Sequence, residues 1–241
     1  MGIRAVHAEL RKVAQPARAR ASAWYFQTRP GGYGEGDRFL GVTVPDVRRV
    51  ARRQRNLPWG SIEALLRSPV HEERLLALFL LVARVEKGDA KMRAYARRTY
   101  FRNLAHINNW DLVDASAPAL LGPLLHEAPG RASQLLRSSN LWKRRIAMIS
   151  TRYEVRQGRT RLAFNYAVQL MDDPEPLIHK AAGWVLREAG KVNPVQLVAF
   201  LRRHADRMPR MMLRYAIERL TPIERKVVLA RSLHATRLHR S

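Results

Sequence analysis

The sequence predicts an all-α protein: a right-handed α-solenoid of HEAT-like helix pairs with a concave basic groove. The first ground is periodicity. From about residue 60 onward apolar residues recur at three- and four-residue spacings, in blocks of roughly 12–16 separated by short Pro, Gly, Asp or Asn breaks. The second is an internal echo. Leu65-Leu66-Arg67-Ser68 returns as Leu135-Leu136-Arg137-Ser138, then as Leu170-Met171-Asp172-Asp173 and Phe200-Leu201-Arg202-Arg203. Helix pairs repeating every 30 to 40 residues, roughly, bury their apolar faces only against neighbours, which is how a solenoid is built. The third is charge: 44 Lys+Arg against 20 Asp+Glu leave +24. The basic residues recur at 48–55, 93–102, 143–161, 202–214 and 225–240, so the charge belongs to the fold and not to one arm. A basic lining on one face of stacked helices would use it.

The elements follow in order. Ile3, Val6, Leu10 and Val13 share one face of a first amphipathic helix. Its Arg-rich, acid-poor composition is also that of an organellar transit peptide, the lesser alternative to a plain amphipathic helix. A secretory signal is not expected, and Val6 spoils the Met-Gly myristoylation pattern. The stretch PGGYGEGDRFLGVTVP (30–45) breaks the helical period and is read as a loop. Neither the dinucleotide fingerprint nor the Gly-Lys-Ser/Thr ending of a phosphate loop can be laid on it. Contact of its backbone amides with a phosphate is the open alternative. Thr43 or Asp46 would cap the helix carrying Val47 to Arg52. Each echo is then followed by a polar break and a second apolar helix: ERLLALFLLVARV, RRIAMISTRYEV, IHKAAGWVLREAG and MMLRYAIERL. The expected organisation is one domain over 1–241, with N-terminal helices and the Gly-rich loop in 1–59, repeats in 60–221 and a basic C-terminal segment in 222–241.

Several function classes drop out. Zero cysteines exclude a disulfide framework, thiolate metal sites and a cysteine nucleophile, and fit a reducing compartment. The apolar run LLALFLLVA is about half the length that crosses a bilayer, so no membrane segment is expected. The composition, 46% hydrophobic and 27% charged, is that of a folded chain. The 37 Arg against 7 Lys suit phosphate, although base composition of the coding DNA would give the same ratio. His71-Glu72-Glu73-Arg74-Leu75 begins like a zincin motif, but the second histidine position is Leu75, so no metal site is expected. For the eight scattered histidines a surface or capping role is expected.

The segment HINNWDLVDASAPALLG (106–122) stands apart. Asp111 and Asp114 lie three apart and Trp110 lies four before Asp114, so on a helix the three share a face. Two readings are open. In one, Asp111 favours the helix dipole, Asp114 pairs with an arginine and Trp110 packs between repeats. In the other, a carboxylate beside an aromatic face stabilises a cationic transition state, as in cleavage of a glycosidic bond.

The strings NNWDLVD (108–114), SNLWKRRIA (139–147), LIHKAAGWVLREAGK (177–191) and MPRMMLRYAIERL (208–220) resemble the AlkD-like DNA alkylation repair family, in order and with similar spacing from about residue 20 to 221. These are HEAT-like DNA glycosylases that excise cationic alkylated purines. The resemblance implies that Asp114 is the catalytic carboxylate, flanked by Trp110 and Trp184. It implies that Arg145 holds the DNA backbone near the lesion and that Arg187 is another phosphate contact. Lys143, Arg144 and Lys180, in the same strings, are further candidate DNA contacts. Tyr25 lies near the position of a family aromatic close to the DNA. The glycine-rich stretch 30–37 is longer than the family pattern.

The implied activity is hydrolysis of the N-glycosidic bond of N3- or N7-alkylated purines in duplex DNA, the first step of base excision repair, with the base left unflipped. No cofactor is implied. The expected partner is double-stranded DNA containing alkylated purines, the expected state a monomer and the expected location the cytoplasm, at the nucleoid. The alternative class is a HEAT-repeat protein that grips DNA or RNA without catalysis.

Overall fold

A computed structural model describes residues 2–229; the last part of the expected basic C-terminal segment lies outside them. Among the described residues the regular structure is helical, with one isolated bridge between Arg38 and Val70. The contacts divide the chain into two compact units, Met1–Leu120 and Leu121–Ser241.

The first unit contains α1 (Ile3–Lys12), α2 (Pro16–Tyr25), α3 (Val44–Arg53), α4 (Trp59–Leu66), α5 (His71–Lys87), α6 (Ala90–Arg102) and α7 (Trp110–Leu120). Its hub is α5, which packs against α3, α4, α6 and α7. The reason lies in its sequence: from Leu75 to Leu81 nearly every residue is apolar and buried, so the helix has no solvent face there and must be surrounded. The first helix forms as its periodicity predicts, burying Val6 and Leu10. Thr43 caps α3 by accepting from the Asp46 amide, which decides between the two expected caps.

The Gly-rich segment is a loop, and its chain is tied down. Arg38 bridges to the turn before α5, with its amide on the Pro69 carbonyl and its carbonyl on the His71 amide. The Glu72 carboxylate then accepts the amides of Leu40, Gly41 and Val42 at 2.8–3.2 Å. Those amides, the part of the loop aimed inward, are therefore occupied by the protein's own anion. Gly41 adopts φ +76°, and a Cβ there would lie 2.2 Å from the Gln15 carbonyl oxygen. Only glycine lets the loop run this close to the start of α2.

The second unit contains α8 (Leu124–Glu127), α9 (Pro129–Leu136), α10 (Leu141–Ser150), α11 (Arg152–Arg156), α12 (Arg161–Gln169), α13 (Pro176–Val192), α14 (Pro194–His204) and α15 (Arg210–Ala216). The sequence echoes fall at or just beyond the ends of α4, α9 and α12 and inside α14, each followed by a second helix. Packing pairs α4 with α5, α9 with α10 and α12 with α13, while α14 and α15 both pack on α13. The hub here is α13. Its Gly183 permits that role: a Cβ would lie 2.4 Å from the Met212 carbonyl oxygen and 2.7 Å from the Tyr215 Cβ, so α15 approaches closer than any side chain would allow. No helix among the described residues is long and apolar enough to cross a membrane.

Candidate functional site

The residues singled out around α7 meet on one structure. Asn109 precedes the helix and its Oδ1 accepts the Trp110 amide at 2.8 Å, satisfying a first-turn donor. Leu112, Val113, Ser116, Ala117 and Leu120 form the buried face. Trp110 and Asp114, one turn apart, are both half-buried at the margin of that face, where each keeps access to solvent.

Trp110 is held in an aromatic stack. Its indole lies nearly parallel to Phe26, ring centroids 5.3 Å apart, and edge-on to Tyr25 at 6.1 Å. Phe26 stacks in turn on Phe39 at 5.1 Å, and Phe39 on the imidazole of His71 at 4.6 Å. Such geometries add to the stabilisation from burial alone. The expected aromatic, Tyr25, is 58% exposed at the end of α2 beside an 83% exposed Trp24.

His71 departs from the expected surface or capping role: only 2% of it is exposed. Its Nδ1 lies 2.9 Å from Asp37 Oδ2 and its Nε2 2.8 Å from Asp111 Oδ2. Asp37 also accepts from Arg74 at 2.6 Å. Burial works against a charged imidazole, but the hydrogen bonds and charges of Asp111 and Asp37 outweigh it and hold the ring up at about 9. Burial likewise works against ionised Asp37, yet His71 and Arg74 hold its carboxyl below the ordinary value. With both ring nitrogens engaged by carboxylates, His71 has no position open for general base work. Asp111 is thus engaged by His71, and Asp114 lies one turn after Trp110 on the same helix.

Nothing in the sequence placed Asp37 or His71 here. The glycine-rich loop conceals the first, and the second was visible only as half of an incomplete metal motif. The aromatic run Trp24-Tyr25-Phe26 was the available signal for the stack.

In the second unit, Trp184 is half-buried on α13 with the Arg152 guanidinium over its ring, 4.0 Å from the centroid. The indole already receives a cation from the protein itself. Arg187 pairs with Glu218 and, at 3.4 Å, with Glu188. Arg144 forms a two-pronged pair with Asp173 at 2.6 and 3.0 Å and donates to the Ser138 and Ser139 carbonyls. Arg145 is only 5% exposed and donates to the Leu177 carbonyl at 2.7 Å. Lys143 and Lys180 are half-buried.

A family described as DNA alkylation repair enzyme matches residues 6–220 of the chain. Among solved structures, the chain is similar to a predicted DNA alkylation repair enzyme from Enterococcus faecalis, with 19% identity over 87% of this chain and 97% of that one and a TM-score of 0.67. It is also similar to the smu.31 protein of Streptococcus mutans UA159, with 16% identity over 95% and 96% of the two chains and a TM-score of 0.48. No curated protein sequence matches.

Proposed function

We propose, from the premise that the chain belongs to the DNA alkylation repair enzyme family, that it is a DNA glycosylase hydrolysing the N-glycosidic bond of N3- or N7-alkylated purines in duplex DNA. The observation that carries the reading is the pairing of a carboxylate and an indole, Asp114 and Trp110, on one half-exposed face of α7 in a chain of charge +24. A protein that merely gripped phosphates would need cations there. A carboxylate facing polyanionic DNA weakens binding, and it assists where positive charge develops.

The chemistry suits these residues. A purine alkylated at N3 or N7 is already cationic, so it departs without a general acid. As the C1′–N bond breaks, its electron pair neutralises the purine and positive charge moves to the deoxyribose. The Asp114 carboxylate stabilises that sugar cation and orients the water whose oxygen bonds to C1′, taking up or relaying the water's proton. The products are the free neutral alkylpurine and an abasic site. Trp110, and Trp184 by the family resemblance, would present π faces to the cationic nucleoside, worth about 0.5–2 kcal/mol each depending on desolvation. The half-exposed setting of Trp110 and Asp114 favours approach to the sugar with the base left in the stack, over extrusion of the base into a pocket. Tyr25, Lys143, Arg144, Lys180 and Arg187 are proposed to contact the DNA. Arg145, 5% exposed and bonded to the Leu177 carbonyl, is proposed to contact it as well.

The test is release of 7-methylguanine or 3-methyladenine from methylated duplex DNA. Wild type is expected to release base, and Asp114→Asn to bind DNA as well while losing release by about a hundredfold or more. DNA binding without release by wild type would leave a non-catalytic nucleic-acid-binding protein; equal release by the variant would remove Asp114 from the mechanism.

A further inference from the structure

Trp110 is bracketed by two residues that lead into the same buried polar chain. On its N-terminal side, Asn109 is fully buried, gives its Oδ1 to the Trp110 amide and directs its Nδ2 toward Asp37 Oδ2 at 3.4 Å. On its C-terminal side, Asp111 gives Oδ2 to His71. Asp37 and His71 are themselves joined at 2.9 Å, so the contacts form a ring that closes around the first turn of α7. The indole is held separately, by the stack running through Phe26 and Phe39 to the face of the same imidazole. His71 therefore touches both Asp111, next to Trp110 in the chain, and the rings of Phe26 and Phe39, the first of which carries the indole.

The chemistry of the ring requires a cation at its centre. Ionised carboxylates only accept hydrogen bonds, and His71 lies between two of them, so both ring nitrogens must carry a proton for both contacts to be made. The formal charges of Asp37, Asp111, His71 and Arg74 then cancel. Buried ion pairs are a poor way to gain stability compared with apolar packing, but they hold a register well, since shifting one member strands the others unpaired.

We propose that the Asp37–His71–Asp111 chain is a positioning device, which fixes the first turn of α7 and the plane of the Trp110 indole so that Trp110 and Asp114 are presented in a set geometry. This rests on the reading of Trp110 and Asp114 as the reactive face. His71 and Asp111 touch neither substrate nor reacting atoms and act through Trp110. The groups facing the imidazole are Asp37 from the loop, Asp111 from α7 and Arg74 from α5 itself. His106, in the turn before α7, senses Arg74 and Arg67 and is held below its usual value by burial and those guanidiniums. Tyr25 approaches Trp110 and Phe26 edge-on.

The experiment uses the full chain as Asp111→Asn and His71→Gln, each with and without Trp110→Phe, so that the near-ultraviolet circular dichroism of Trp110 is obtained by difference. It also measures single-turnover release of 7-methylguanine and affinity for undamaged duplex. The expected result is loss of most of the Trp110 signal and a fall of about tenfold to a hundredfold in single-turnover rate, with duplex affinity unchanged. Retention of both signal and rate in a folded variant overturns the proposal; so does a fall in rate with the Trp110 signal intact. If wild type releases no base, the reading of Asp114 fails, and the Trp110 signal alone decides this proposal. If neither variant folds, wild type decides it: the Trp110 signal should fade as pH rises through about 9, and a signal constant through that range overturns it.

Discussion

His71 couples the stability of the fold to pH through its two carboxylate partners. Its pKa in the folded chain, about 9, lies above the ordinary 6.5, so the folded state holds the proton more tightly than the unfolded state. The stability this contributes is complete below 6.5 and is lost as pH rises through 9. Asp37 acts in the opposite sense, since its lowered pKa contributes stability that is lost as pH falls below the ordinary carboxylate value. Thermal melts of wild type should therefore decline between pH 6.5 and 9, and His71→Gln, starting lower, should show a much flatter profile there. Identical slopes would mean that His71 titrates the same way folded and unfolded. The residue scale was also the least legible in the sequence. Asp114 and Trp110 could be placed on one face because helical spacing alone does that. His71 and Asp37 are 34 residues apart, and no local rule connects them.

At the scale of elements, the Gly-Trp-Val-Leu-Arg-Glu string of α13 has a packing reason as well as a proposed functional one. Gly183 lets α15 approach so closely that a Cβ would overlap the Met212 backbone. Gly183→Ala should destabilise the second unit by about 1–3 kcal/mol, as overpacking of a tight contact does. Chemical denaturation would check this, and a variant as stable as wild type would show that α15 can shift at little cost. The same helix carries Trp184 under Arg152 on the neighbouring side of Gly183. The helices themselves were legible, because their apolar periodicity and breaks are local. The extra pair α6 and α7 escaped the echo motif, since α6 ends on Tyr100-Phe101-Arg102 in place of the Leu-Leu signature.

For the whole molecule, +24 implies strongly salt-dependent binding to DNA. Lys143→Ala is expected to weaken binding to any duplex and to reduce the slope of log affinity against log salt by about one. Arg145→Ala is expected chiefly to lower the melting temperature, because the buried guanidinium holds the Leu177 carbonyl. A loss of salt slope with unchanged melting temperature would place Arg145 on phosphate in the complex. Of the candidate cations, Arg144 and Arg187 are already paired with carboxylates, so total charge overstates what is free to meet DNA. That distinction cannot be drawn from composition, which counts a guanidinium alike whether it faces solvent or Asp173. The sequence by itself determined the helical class, the helix pairs, the family and the shared face of Trp110 and Asp114, since each depends on local periodicity or on strings of adjacent residues. Only the tertiary structure decided which arginines are spent on internal pairs and that a buried histidine anchors Trp110, because those are contacts between distant segments whose strength comes from exclusion of water.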